Sequence, residues 1–115
     1  MAWRIEDSIH VSADLARIYE HLEASHEGFG HSLEEAVAMA EMRVSGIYSR
    51  RKTLLIAPHR GTLHEIQGQL IRHVTIDRAI YWFSLDDASQ TVRIEGIFFG
   101  GQDHLGRMLA RLTAE

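Results

Sequence analysis

Apolar residues recur at helical spacing between Leu15 and Ile47 and at strand spacing between Leu70 and Phe99, and the two regimes do not interleave. That single change of period rules out alternating strand–helix units and points to an α+β layer fold, with helices first and an antiparallel sheet after. The chain has 115 residues, which fits one domain, 1–115. No apolar run approaches the 18 or so residues of a membrane span. With no cysteine, a disulfide framework, a zinc ribbon and a cysteine nucleophile are all excluded.

Residues 3–11 alternate, with Trp3, Ile5, Ile9 and Val11 on one parity, and are expected to form a first strand. Asp7 interrupts the apolar side, which suggests a sheet edge or a bulge. Ser12 offers an N-cap, and Leu15, Ile18, Tyr19 and Leu22 mark one face of a helix from about Ala13 to Ala24. Residues 25–31 read as a loop around Gly28 and Gly30. Ser32 and Glu35 form a capping box that opens a second helix running to about Arg51, with Leu33, Ala36, Val37, Ala40, Val44 and Ile47 as its buried stripe. The short connection predicts an antiparallel hairpin.

Pro58 ends any helical reading. Strands are then expected at Leu70–Ile76, Ala79–Leu85 and Thr91–Phe99, joined by turns at Asp77-Arg78 and Asp86–Ser89. Ala79–Leu85 is apolar on both faces and should be central. In the last strand Val92, Ile94 and Phe98 share one parity, and Ile97 and Phe99 the other. A tail helix from about Asp103 to Leu112 carries the stripe Leu105, Met108, Leu109 and Leu112. The predicted architecture is a strand, a two-helix hairpin, a three-stranded antiparallel meander and a short C-terminal helix, with the helices on one side of the sheet.

The net charge of −4 conceals a division. Residues 1–46 hold three arginines against nine acids, a balance of −6, and residues 47–115 hold nine basic residues against seven acids, a balance of +2. Within residues 42–64, Arg43, Arg50, Arg51, Lys52 and Arg60 occur with no acid. Such a block suits phosphates or an acidic protein, although cations closing a helix also satisfy its dipole. Arg72 shares the parity of Leu70 and Val74, so it requires a carboxylate partner or a groove. Tyr81 and Trp82 point to opposite faces, and core packing is the expectation for both. Eight histidines invite a search for a metal site, but no ligand spacing such as H-E-x-x-H occurs, and neither metal nor cofactor is expected.

The chain resembles the RelE/ParE toxin family of bacterial toxin–antitoxin modules, whose members are also called plasmid stabilisation proteins. The resemblance rests on Asp14-Leu15-x-x-Ile18-Tyr19, Ala36-x-x-x-Ala40, Leu55-x-x-Pro58-x-x-Gly61 and Leu70-x-Arg72. It continues through Ile80-Tyr81-Trp82-Phe83 and Val92-x-Ile94 to the ending Phe99-Gly100-Gly101-Gln102-Asp103. It implies a toxin neutralised by a cognate antitoxin, a small ParD-like DNA-binding protein, in a hetero-oligomer or beside a homodimer. It also implies one of two activities, either cleavage of messenger RNA on the ribosome or poisoning of DNA gyrase.

Ribosomal cleavage needs several cations around the scissile phosphate. This chain has one lysine, lacks a late tyrosine because Tyr81 is its last, and carries net negative charge, which disfavours docking on RNA. A non-enzymatic, gyrase-binding toxin is therefore expected. Its candidate target- or partner-binding residues are Arg50, Arg51, Lys52, Arg60, Arg72, Arg78, Gln102 and Asp103. The alternative ribonuclease would use Arg60, Arg72 and His73, with His59 or His64 as other acid–base candidates. A third reading is a non-toxic, partner-binding relative. No signal-peptide layout opens the chain, so a cytoplasmic location is expected.

Overall fold

A computed structural model describes residues 2–100 and 103–114. The elements run β1 (Arg4–Asp7), α1 (Val11–Gly28), α2 (Leu33–Arg50), a 3-10 turn (Arg51–Leu55), β2 (Thr62–Ile66), β3 (Gln69–Ile76), β4 (Ala79–Asp86), β5 (Thr91–Phe99) and α3 (His104–Thr113). They form one five-stranded sheet of order β1-β5-β4-β3-β2. β2 to β5 make an antiparallel meander, and β1 joins β5 in parallel. The α+β layout expected from the change of period is the one observed.

Several boundaries differ from expectation, each for a local reason. The first strand stops at Asp7 rather than continuing to Val11, because Ser8 turns the chain. The Ser8 Oγ accepts the His10 N–H at 3.3 Å, and its carbonyl accepts the Val11 N–H at 3.2 Å. α1 therefore begins at Val11 with no side-chain cap, and Ser12 lies inside it. At the other end α1 continues to Gly28 through most of the expected loop. The capping box holds: the Ser32 hydroxyl accepts the Glu35 N–H at 3.2 Å, and the Glu35 carboxylate accepts the Ser32 N–H at 3.0 Å. Asp7 sits on the edge strand, where its carboxylate receives the Tyr48 hydroxyl at 3.1 Å and pairs with Arg51 at 3.4 Å.

The meander has four strands, not three. β2 was not anticipated because Thr62–Ile66 has apolar residues at only two positions, of opposite parity, and it contributes little to either core. β4 is central and buried from Ala79 to Phe83, as its two-sided apolar pattern requires.

The parity reading of β5 fails at one point. Trp82 pairs with Gly96 but the next residue, Phe83, pairs with Ile94, so Glu95 is an extra residue in a β-bulge. Beyond the bulge the faces exchange. Ile97 and Phe99 join Val92 and Ile94 against the helix hairpin, while Phe98 faces the other way.

That other face is covered by α3, so the helices do not all lie on one side. Met108 and Leu112 of α3 pack on Ile71, Ile80, Trp82 and Phe98. Leu105 and Leu109, expected in the same stripe, are substantially exposed, as is Leu33 at the start of α2. Gly96 allows α3 its close approach, since a Cβ there would meet Arg111 Nη1 at 2.7 Å and the Met108 sulfur at 3.0 Å.

Candidate partner-binding site

The helix hairpin covers β5 and β4 and overhangs the sheet at the β3–β4 turn, leaving an open cavity of about 750 Å³. Its apolar surface comes from Leu22 of α1, Met39 and Met42 of α2, and Phe99 at the end of β5. Met42 is strongly exposed. Flexible, polarisable methionines at an open surface suit a partner whose shape is not fixed in advance.

Three guanidiniums rim this surface. Arg43 and Arg50 lie seven residues apart on α2, two turns along one face, and Arg78 comes from the β3–β4 turn. Arg43 and Arg78 both stand over the Phe99 ring, with Cζ at 5.3 and 5.2 Å from its centroid. The acid of the site is Asp77. Its carboxylate bonds Arg50 Nη1 at 2.6 Å and lies 3.4 Å from Arg43 Nη1, while its carbonyl accepts Arg43 Nη2 at 2.8 Å. The Arg50 hydrogen bond, followed by the Arg43 charge, holds the Asp77 carboxyl below the usual carboxylate range and raises Arg50 in return. Three cations against one anion leave the rim net positive.

The turn that presents Asp77 and Arg78 is two residues long, and both have positive φ, 50° and 71°. That is the backbone sign a tight hairpin turn needs, and it is ordinarily supplied by Gly or Asn. Arginine tolerates it poorly, at a cost of about 1–2 kcal/mol. The strain is held by the Gly100 N–H, which donates to the Arg78 carbonyl at 2.9 Å.

Of the residues expected to bind a partner, the fold brings Arg50 and Arg78 together and disperses the rest. Arg51 turns inward to Asp7, with its guanidinium 3.9 Å from the centre of the Tyr48 ring. Lys52 is exposed on the 3-10 turn. Arg60 donates to the Thr53 hydroxyl at 2.9 Å. Among the described residues no carboxylate pairs with Arg72; its Nη1 donates to the His59 carbonyl at 2.7 Å. Asp103 caps α3 by accepting the Gly106 N–H at 3.1 Å. Gln102 lies outside the described residues.

Arg43, Met39, Met42 and Phe99 belong to the site although sequence reasoning did not select them. Arg43 carried a usable signal, since it opens the acid-free run and shares a helical face with Arg50.

The ribonuclease set does not converge. Arg72 and His73 are adjacent in β3 and project from opposite faces. His73 lies in an aromatic stack beside Trp82, with ring centroids 4.7 Å apart. His64 Nε2 and His73 Nδ1 are 2.8 Å apart, and Trp82 Nε1 donates to His104 Nδ1 at 3.1 Å. Burial, then the neighbouring His104 and His64, push His73 below its ordinary pKa. Tyr81 is buried with its hydroxyl donating to the Ile47 carbonyl at 2.6 Å, and burial pushes its pKa up to about 12.

Among the described residues no three His, Asp or Glu side chains are placed to hold a metal ion, and no helix is long and apolar enough to cross a membrane. No protein-family model and no curated protein matches the chain.

Proposed function

We propose that the chain is the toxin of a type II toxin–antitoxin module that acts by binding a protein, DNA gyrase, and that an acidic, apolar segment of its antitoxin fills the cavity beside the β3–β4 turn. The observation that carries this reading is the convergence of Arg43, Arg50 and Arg78 around an apolar floor with Asp77 as counter-charge. An amphipathic segment with carboxylates along one side would bury its apolar face on Met39, Met42 and Phe99 and exchange its acids for Asp77. Charge complementarity of this kind sets partner choice and association rate more than raw affinity.

The dispersal of Arg60, Arg72 and His73 supports a binding role over ribonuclease catalysis. General acid–base work needs its groups within hydrogen-bond reach of one substrate, and residues on opposite faces of a strand do not meet that condition. Tyr81 is no substitute, because its hydroxyl is buried and already engaged.

Expression of the chain alone in bacteria tests the proposal. Growth arrest with induction of the DNA-damage response and trapped gyrase–DNA complexes is expected, with rescue by a small protein encoded beside it. Reversing Arg43, Arg50 and Arg78 to Glu should abolish that rescue and co-purification. Fresh messenger cleavage with normal DNA supercoiling would assign the ribonuclease activity instead. Unimpaired growth would identify a non-toxic partner-binding protein.

A further inference from the structure

The sheet has two edges, and they are built differently. β1 is four residues long, three of them charged. Its Arg4 bonds the Thr91 hydroxyl at 3.0 Å, Glu6 pairs with Arg93 at 2.6 Å, and Asp7 with Arg51. A short strand with its charges engaged offers little to an incoming chain. β2 hydrogen-bonds β3 on one side and leaves the other side of its backbone open. Thr62–Ile66 contains no proline, no lysine or arginine and no bulge, the usual devices against edge-to-edge pairing.

The side chains around this edge are left incomplete. Leu63 and Leu70 are large apolar residues, 49% and 59% exposed, on the hairpin side of the sheet but beyond the edge of the hairpin itself. The same face carries Glu65 and Arg72, since Leu63 pairs with Arg72 and Glu65 with Leu70. Among the described residues no hydrogen bond or ion pair engages the Glu65 side chain. Arg72 uses one N–H on the His59 carbonyl and, among the described residues, pairs with no carboxylate.

We infer that a second copy of this chain occupies the β2 edge, pairing β2 with β2 antiparallel about a two-fold axis at His64 and extending the sheet to ten strands. In this register Leu63 lies opposite Glu65 of the other copy. Each row on this face then runs Arg72, Leu63, Glu65, Leu70 across the two copies. Arg72 and the facing Glu65 stand two strand spacings apart, about 9.6 Å. The arginine stem covers Leu63 and brings its head to the carboxylate. The two Leu63 side chains become diagonal neighbours at the axis. Every interaction occurs twice, as a two-fold interface requires. The complementarity is internal to one sequence, which favours a second copy over a foreign strand.

Sedimentation and single-cysteine cross-linking test the inference. The unmodified chain should sediment as a dimer. Glu65→Arg and Arg72→Glu should each weaken dimerisation about ten-fold or more, because each replaces two attractive pairs with two like-charge contacts. The double exchange should restore it. The chain has no cysteine of its own, so His64→Cys should form a symmetric disulfide on mild oxidation while Glu6→Cys on the β1 edge should not. The charge exchange leaves His64 in place and keeps the test decisive if the cysteine variant folds poorly. A monomer at every concentration, a double exchange no better than the single ones, or equal cross-linking at both edges would overturn the inference. So would a monomer whose β2 amides gain exchange protection only with the antitoxin.

Discussion

On the hairpin side of the sheet, α1 and α2 press an unbroken apolar cluster from Val11 to Phe99 onto Tyr81, Phe83, Val92, Ile94 and Ile97. On the opposite side α3 brings one fully buried residue, Met108, to a patch formed by Ile71, Ile80, Trp82 and Phe98. Polar ties make up the difference there. The His64, His73 and His104 rings lie 4.7–5.7 Å from Trp82, and Arg111 forks onto Asp14 at 2.9 and 3.0 Å. The two faces of one sheet thus rest on different forces. The hairpin face depends on area removed from water, and the α3 face on a few directional contacts that substitution or protonation can remove singly.

Phe83→Ala and Met108→Ala probe that contrast most severely. Phe83 is fully buried against the hairpin, and its loss should cost about 3–5 kcal/mol of global stability in urea denaturation. Met108→Ala should act locally. Amide exchange should quicken throughout α3 while the hairpin keeps its protection, because α3 can open without exposing the larger core. If both variants lose exchange protection uniformly, the two faces form one cooperative unit and the contrast fails.

Asp14 joins the two faces. It is 1% exposed at the start of α1. Its carboxylate accepts the Ile97 N–H beyond the β5 bulge at 3.0 Å as well as both Arg111 contacts. Asp14→Ala leaves a largely buried guanidinium unpaired and should cost about 3–5 kcal/mol. Adding Arg111→Met removes the orphaned charge and should recover most of that loss. About 1–3 kcal/mol should persist, because the Ile97 N–H remains without an acceptor. Full recovery would show that the backbone contact contributes nothing.

The sequence disclosed the hairpin face more fully than the α3 face. The periods of α1, α2 and β4 arise from burial on a broad apolar surface, so they are visible in the order of residues. Nothing local distinguishes Asp14 from any solvated acid in a helix's first turn; its partner lies 97 residues away. The Glu95 bulge was invisible because one inserted residue reverses parity without altering composition. β2 lacked a signal for the complementary reason, since a strand at an open edge buries too little to impose alternation. In the candidate site, Arg50 and Arg78 were selected by charge. The floor of Met39, Met42 and Phe99 was not, because it exists only where the hairpin overhangs the β3–β4 turn. Arg72 was expected to need a carboxylate partner or a groove; among the described residues no carboxylate pairs with it, and its Nη1 donates to the His59 carbonyl instead.

Acidification should separate the faces by the smallest and most selective effect. His73 is held below its ordinary pKa of 6.5, first by burial and then by His104 and His64. The folded chain therefore binds fewer protons than the unfolded chain as pH falls past 6.5. The neutral ring's contribution is complete above that value and is lost as pH drops through the lower, folded pKa. The groups facing His73 are His64 from β2, Trp82 from β4 and His104 from α3. Between pH 6.5 and about 5, above the range in which most carboxylates titrate, the exchange protection of α3 amides, corrected for the intrinsic pH dependence of exchange, should fall while that of α1 and α2 stays level. His73→Gln removes the ring that titrates and should flatten the dependence for α3. An α3 that opens equally with pH in wild type and His73→Gln would place the acid sensitivity elsewhere and leave Met108 and the Asp14–Arg111 pair as the contacts that hold this helix.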